Sequence, residues 1–120
     1  MSGFIRSFSF ALRGIRQCFT RELNFRIHVF VTVIVISAAM LFKVSQTEWF
    51  VILLCAGVVM AAELINTAIE VLCNIVHKES HQGIGLVKDM AAGAVLITAV
   101  ISFITGLVIF LPKIFSLINH

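Results

Sequence analysis

Glu63, Asn66 and Glu70 stand three and four residues apart, a spacing that puts two carboxylates and an amide on one face of a helix. Thr67 flanks that face, which continues towards Cys73, Asn74 and His77, while almost every other residue nearby is apolar. Glu70, with Glu22 and the Lys88–Asp89 pair reaching the same level, suits a hard divalent cation, which takes a few carboxylates and leaves its other positions to substrate oxygens. A carboxylate held in greasy surroundings suits a general base that accepts a proton from an alcohol. An acid inside an apolar helix costs on the order of 2–3 kcal/mol on insertion scales, so Glu63 is a functional candidate by default. The competing reading is that Glu63 and Asn66 are interhelical hydrogen-bond glue in a structural bundle.

Elements that can present such a face follow from composition. Of the 120 residues, 60% are hydrophobic and 12% charged, and the mean hydropathy is +1.08. Those values exclude an ordinary soluble domain and place the chain in a bilayer. Long continuous apolar runs, without alternation, predict spanning helices and argue against barrel strands. The fold class is therefore an all-α membrane protein, residues 1–120 forming one domain.

Three spans are expected over 24–42, 49–77 and 89–112, with Pro112 and Lys113 closing the last. Before them, Phe4, Phe8, Ala11, Leu12, Ile15 and Phe19 recur at helical spacing while Arg6, Arg13 and Arg16 fall away from the stripe, predicting an amphipathic surface helix over 1–20. The 43–48 segment reads as a tight hairpin in which Ser45 or Thr47 caps the next helix and Trp49 lies at the interface. The 78–87 segment, with Gly83 and Gly85, reads as a polar turn.

Five of the nine cations lie within the first 26 residues, which fits an anionic lipid surface better than nucleic acid. Arg6, Arg13, Arg16, Arg21 and Arg26 flank the first span on one side, so the positive-inside rule predicts a cytoplasmic N-terminus, an external 43–48 hairpin and an external tail. Cys18, Cys55 and Cys73 are odd in number, widely spaced and set among apolar residues, as buried thiols are. The N-terminal stretch is amphipathic and aromatic and has no cleavable-leader pattern, so no processing is expected.

Counting about twenty residues inward from each outer boundary reaches Glu22, Glu70 and the Lys88–Asp89 pair at one level, with Glu63 seven residues deeper than Glu70. His28, just inside the first span, is expected to snorkel or to hydrogen-bond across helices. His77 and His81 read as solvated loop histidines. No Walker-type loop, protein-kinase glycine loop or H-E-x-x-H helix is present.

The run Ala62-Glu63-Leu64-Ile65-Asn66-Thr67-Ala68-Ile69-Glu70, with Lys88-Asp89-Met90-Ala91-Ala92-Gly93-Ala94-Val95-Leu96 further on and Arg21-Glu22-Leu23-Asn24-Phe25-Arg26-Ile27-His28 ahead of it, resembles the prokaryotic diacylglycerol kinase family over nearly the whole chain. The resemblance implies a homotrimer in the bacterial cytoplasmic (inner) membrane, with composite cytoplasmic active sites between subunits. It implies ATP as phosphoryl donor, magnesium as cofactor and a membrane lipid alcohol as acceptor. Glu63 would be the base, Glu22 and Glu70 the magnesium ligands, and Asn66, Lys88 and Asp89 would complete the polar site. Arg16, Glu22, Glu70, Glu79, His81, Lys88 and Asp89 would face the nucleotide, and Glu63 and Ala92 the lipid.

Three features depart from the family pattern: Asn74 where an aspartate is common, Ser80 where a tyrosine is usual, and the small Gln82–Gly85 stretch. The Asn24–His28 segment and the Thr47-Glu48-Trp49 hairpin look like the branch acting on undecaprenol rather than diacylglycerol. A reading from another class is a non-catalytic small membrane oligomer, a channel, holin-like or assembly protein. Against it, no ionisable group falls in the outer halves of the expected spans.

Overall fold

A computed structural model describes residues 2–77 and 81–119, all organised as helix and short connections. Four helices follow in order: α1 (Ser2–Arg21), α2 (Leu23–Leu41), α3 (Gln46–Val76) and α4 (Gln82–Ile118). The last three are long and apolar enough to cross a bilayer. Helix α1 leaves Phe4, Phe8, Leu12, Ile15 and Phe19 exposed, the stripe anticipated for a helix lying on lipid.

The α2–α3 hairpin is set by local chemistry. Helix α2 ends in a Schellman arrangement: the Val44 amide donates to the Ala39 carbonyl and the Lys43 amide to that of Met40, with Lys43 at φ 52° in the left-handed region usually given to glycine. Val44, buried, packs back on the fully buried Ala39. Ser45 then opens α3 with a capping box, its hydroxyl accepting from the Glu48 amide while the Glu48 carboxylate accepts from the Ser45 amide.

Around this hairpin lies the apolar core: Ala39, Val44, Ile52 and Ile109 are buried together, with Val35, Phe42, Trp49 and Phe110 against them. The Phe42 and Phe110 rings meet at 6.1 Å. Lys113 on α4 pairs with Glu48 on α3 at 3.2 Å, so the hairpin end carries one ion pair, contributed by residues just outside the expected spans.

Two local expectations are corrected. The turn over 78–87 is shorter, because α4 begins at Gln82: His81 Nδ1 accepts from the Gly83 and Ile84 amides and caps the helix, so Gln82–Val87 are helical. The helix also does not stop at Pro112 but runs through it to Ile118. Proline removes one amide donor and crowds the carbonyl four residues back, a cost of ~3 kcal/mol in a helix interior. The adjacent Lys113–Glu48 pair ties the segment beyond it to α3.

Candidate active site

Away from the hairpin, polar side chains are buried alongside the apolar Phe25, Val59 and Cys73. Glu63, Asn66 and Thr67 on α3 are all buried, Glu63 only 3% exposed. They share one face because their spacing is that of a helix turn, and α1 and α2 pack on that face. Cys18 of α1, also buried, directs its thiol to Thr67 Oγ1 at 3.6 Å and ties the surface helix to α3 beside Glu63. Burial pushes the Cys18 thiol above its ordinary range, with the Glu22 and Glu63 charges pushing the same way and the Thr67 contact opposing them.

Glu22 occupies the break between α1 and α2. Its backbone is extended, at φ −110° and ψ 115°, and its side chain makes no capping bond to α2, so the carboxylate is left for other work. Arg26 fastens the same break by donating from Nη1 to the Phe19 carbonyl at 2.8 Å and the Thr20 carbonyl at 3.1 Å, satisfying the last turn of α1. Glu22 and Glu70 both lie close enough to Glu63 to act on its charge. Asp89, the third acid expected at the level of Glu22 and Glu70, lies on α4.

His28 of α2 faces Glu63, with Nε2 at 3.7 Å from Oε2. Asn66 Nδ2 donates to Glu70 Oε1 at 3.3 Å. That bond fixes the amide's orientation and leaves Asn66 Oδ1 buried with no hydrogen-bond partner. A buried carbonyl oxygen without a donor is expensive, by roughly 1–3 kcal/mol, and marks a place where something else is to be bound.

Residues from α4 form a second group. Lys88 Nζ donates to Asn74 Oδ1 at 2.7 Å, one helical turn past Glu70 on α3. Asp89 lies with His81, Gln82, Gly83, Gly85 and Leu86 along an open recess of about 710 Å³ at the start of α4. The His77 and His81 rings stand 5.0 Å apart. Since His81 Nδ1 accepts from the helix amides, Nε2 is the ring nitrogen left to donate.

The remaining sequence candidates are placed as follows. Arg16 is exposed on α1 and Ala92 is exposed on α4; Glu79 lies outside the described residues. Sequence reasoning did not name Cys18, Thr67 or His28 as members of the site. For His28 a signal existed: it lies fourteen residues before Phe42, as Glu63 lies fourteen after Trp49, so both reach equal depth from the hairpin.

The donor set agrees with a hard cation. Glu22, Glu70 and the unpartnered Asn66 oxygen are all oxygen donors, the kind magnesium selects. Among the described residues no three His, Cys, Asp or Glu side chains stand close enough to hold a metal by themselves. Such a site fits an ion that arrives with phosphate oxygens to complete its shell.

Residues 9–110 match the family model for prokaryotic diacylglycerol kinase. The chain belongs to that family. It is 41% identical over 113 residues to the undecaprenol kinase of Bacillus subtilis (strain 168), covering 94% of this chain and 92% of the relative. It is 39% identical over 112 residues to a diacylglycerol kinase of Synechocystis sp., covering 92% of this chain but 64% of that longer protein. The diacylglycerol kinase of Haemophilus influenzae is 29% identical over 113 residues, covering 92% of this chain and 94% of the relative.

Proposed function

We propose that this chain is a lipid kinase of the bacterial cytoplasmic membrane, transferring the γ-phosphoryl group of ATP to the hydroxyl of a membrane lipid alcohol with magnesium as cofactor. The observation that carries this reading is the buried Glu63, with Glu22 and Glu70 near enough to act on its charge and with Asn66 bonded to Glu70 and left with one unpartnered oxygen, in a family member. Phosphoryl transfer asks little covalent chemistry of a protein and much positioning and charge neutralisation, which fits a site with no phosphate-binding loop.

In this reading Glu63 accepts the proton of the lipid hydroxyl as its oxygen attacks phosphorus and the bond to ADP breaks. Burial keeps that carboxylate out of bulk water and within the apolar half of the bundle, the side from which an acyl or prenyl chain presents its head. Glu22 and Glu70 hold magnesium, which bridges phosphate oxygens and offsets their charge. Asn66 orients Glu70 through its 3.3 Å bond. Lys88, held by the neutral Asn74, keeps its full positive charge for the transferring group, while Arg16, Glu79, His81 and Asp89 serve the nucleotide and Ala92 the lipid. The working unit is a homotrimer whose N-termini and active sites face the cytoplasm.

Undecaprenol is the favoured acceptor and diacylglycerol the second. Relatives bearing either substrate's name are nearly equally similar, at 41% and 39%, so the preference rests on the Asn24–His28 and Thr47–Trp49 segments. The test is transfer of label from radioactive ATP in mixed micelles containing magnesium and one alcohol at a time. A labelled undecaprenyl phosphate is the expected product. An intact folded preparation that labels neither alcohol overturns the kinase reading and favours a non-catalytic membrane oligomer.

A further inference from the structure

A base that takes one proton per turnover must release it before the next, and Glu63 is badly placed to do so alone. It is 3% exposed, and on the proposed reading its open side is occupied by the lipid head. The charged or titratable groups that face it are few. Cys18 arrives from α1, Glu22 from the α1–α2 break, His28 from α2 and Glu70 from its own helix. Glu22 and Glu70 are engaged with the cation on that reading. The Cys18 thiol, raised by burial and turned to Thr67, already carries its proton.

His28 differs from all of these. Its Nε2 stands 3.7 Å from Glu63 Oε2, and its side chain is 25% exposed. One edge of the ring thus meets the buried carboxylate while part of the ring is left uncovered by the other helices. Imidazole both accepts and releases protons near neutral pH, the property that makes histidine a proton shuttle.

We propose that His28 is the exit for the catalytic proton: after transfer, the proton on Glu63 Oε2 passes to His28 Nε2, and the imidazolium gives up its other ring proton, from Nδ1, to water at the membrane interface. Glu63 returns to the carboxylate form and His28 to the neutral ring, so each turnover releases one proton to water and consumes no other reactant. His28 acts through Glu63 and is a positioning residue, facing the carboxylate and relieving it of its proton. The 3.7 Å separation exceeds a hydrogen bond. It needs to close by roughly 1 Å, a side-chain movement of the kind that accompanies formation of a reactant complex. The inference rests on the reading of Glu63 as base.

The test compares His28→Gln, His28→Ala and Glu63→Gln in the full chain, in mixed micelles with magnesium, ATP and whichever lipid alcohol the parent labels. His28→Gln keeps a polar side chain that cannot carry a proton, so kcat is expected to fall at least about tenfold while the KM for ATP stays within about twofold. Added imidazole is expected to restore turnover to His28→Ala, a rescue that a purely structural histidine would not show. If His28→Gln turns over at the parent rate while Glu63→Gln is dead, the relay is wrong and the base stands. If both His28 variants are slow and imidazole restores neither, histidine serves structure only and the relay is again overturned. A Glu63→Gln variant with parental turnover removes the base reading, and the relay with it.

Discussion

Lys88 on α4 donates from Nζ to Asn74 Oδ1 on α3 at 2.7 Å, so the cation beside the acid cluster is held by a group of no charge. A carboxylate there would hold it equally well and cancel most of its charge locally. The amide positions the lysine and leaves it electrostatically unspent.

Replacing Asn74 therefore separates positioning from neutralisation. Asn74→Ala loses one exposed charge-assisted bond, about 1 kcal/mol, and is expected to raise the KM for ATP about fivefold. Asn74→Asp keeps the geometry and pairs the charge, and should lower kcat more than it changes KM. Steady-state kinetics with varied ATP checks both.

Glu63→Gln preserves volume and removes the base. Turnover should fall by about 10² to 10⁴, the usual contribution of a positioned general base, while oligomer size on gel filtration is unchanged. Near-parental turnover would show the base assignment to be wrong.

Two changes at the hairpin are expected to act on stability and leave chemistry alone. Ser45→Ala breaks the capping box and should cost about 1 kcal/mol. Lys43→Gly relieves a left-handed residue at the C-terminal position where glycine is favoured, and should gain about 0.5–1 kcal/mol. Thermal or denaturant unfolding in detergent measures both, with kinase activity as the control.

Cys18 gives a pH dependence. Its folded pKa lies above the ordinary 9.0, so the folded state holds the thiol proton more tightly than the unfolded state does. The stability contributed is fully present below pH 9 and is lost as pH rises through the folded value. Unfolding midpoints should fall on the alkaline side in the parent and fall less in Cys18→Ala. Maleimide labelling of Cys18 in the folded protein should lag that of the less buried Cys55.

The spans, the amphipathic α1 and the shared face of Glu63 and Asn66 were legible because each follows from periodicity and length. The start of α4 was not, because Gly83 and Gly85 signal a turn and a histidine cap is an unusual helix opening. The course of α4 through Pro112 was missed for a similar reason: a local breaker sits inside the helix, and the Lys113–Glu48 pair beside it is a tertiary contact that spacing does not reveal. The Cys18–Thr67 contact was out of reach, since nothing in the spacing of an amphipathic helix says which residues of another helix it will touch.

The apolar core of Ala39, Val44, Ile52 and Ile109 clasps α2 and α3 at the hairpin, whereas His28 and Glu63 face each other some fourteen residues away on those two arms. At 1.5 Å per residue the arms are about 21 Å long, so a splay of about 3° at the clasp moves their far ends about 1 Å. The subunit thus behaves as tongs, and a bulkier side chain at the fully buried Ala39 would be felt less as lost stability than as a loosened grip between His28 and Glu63.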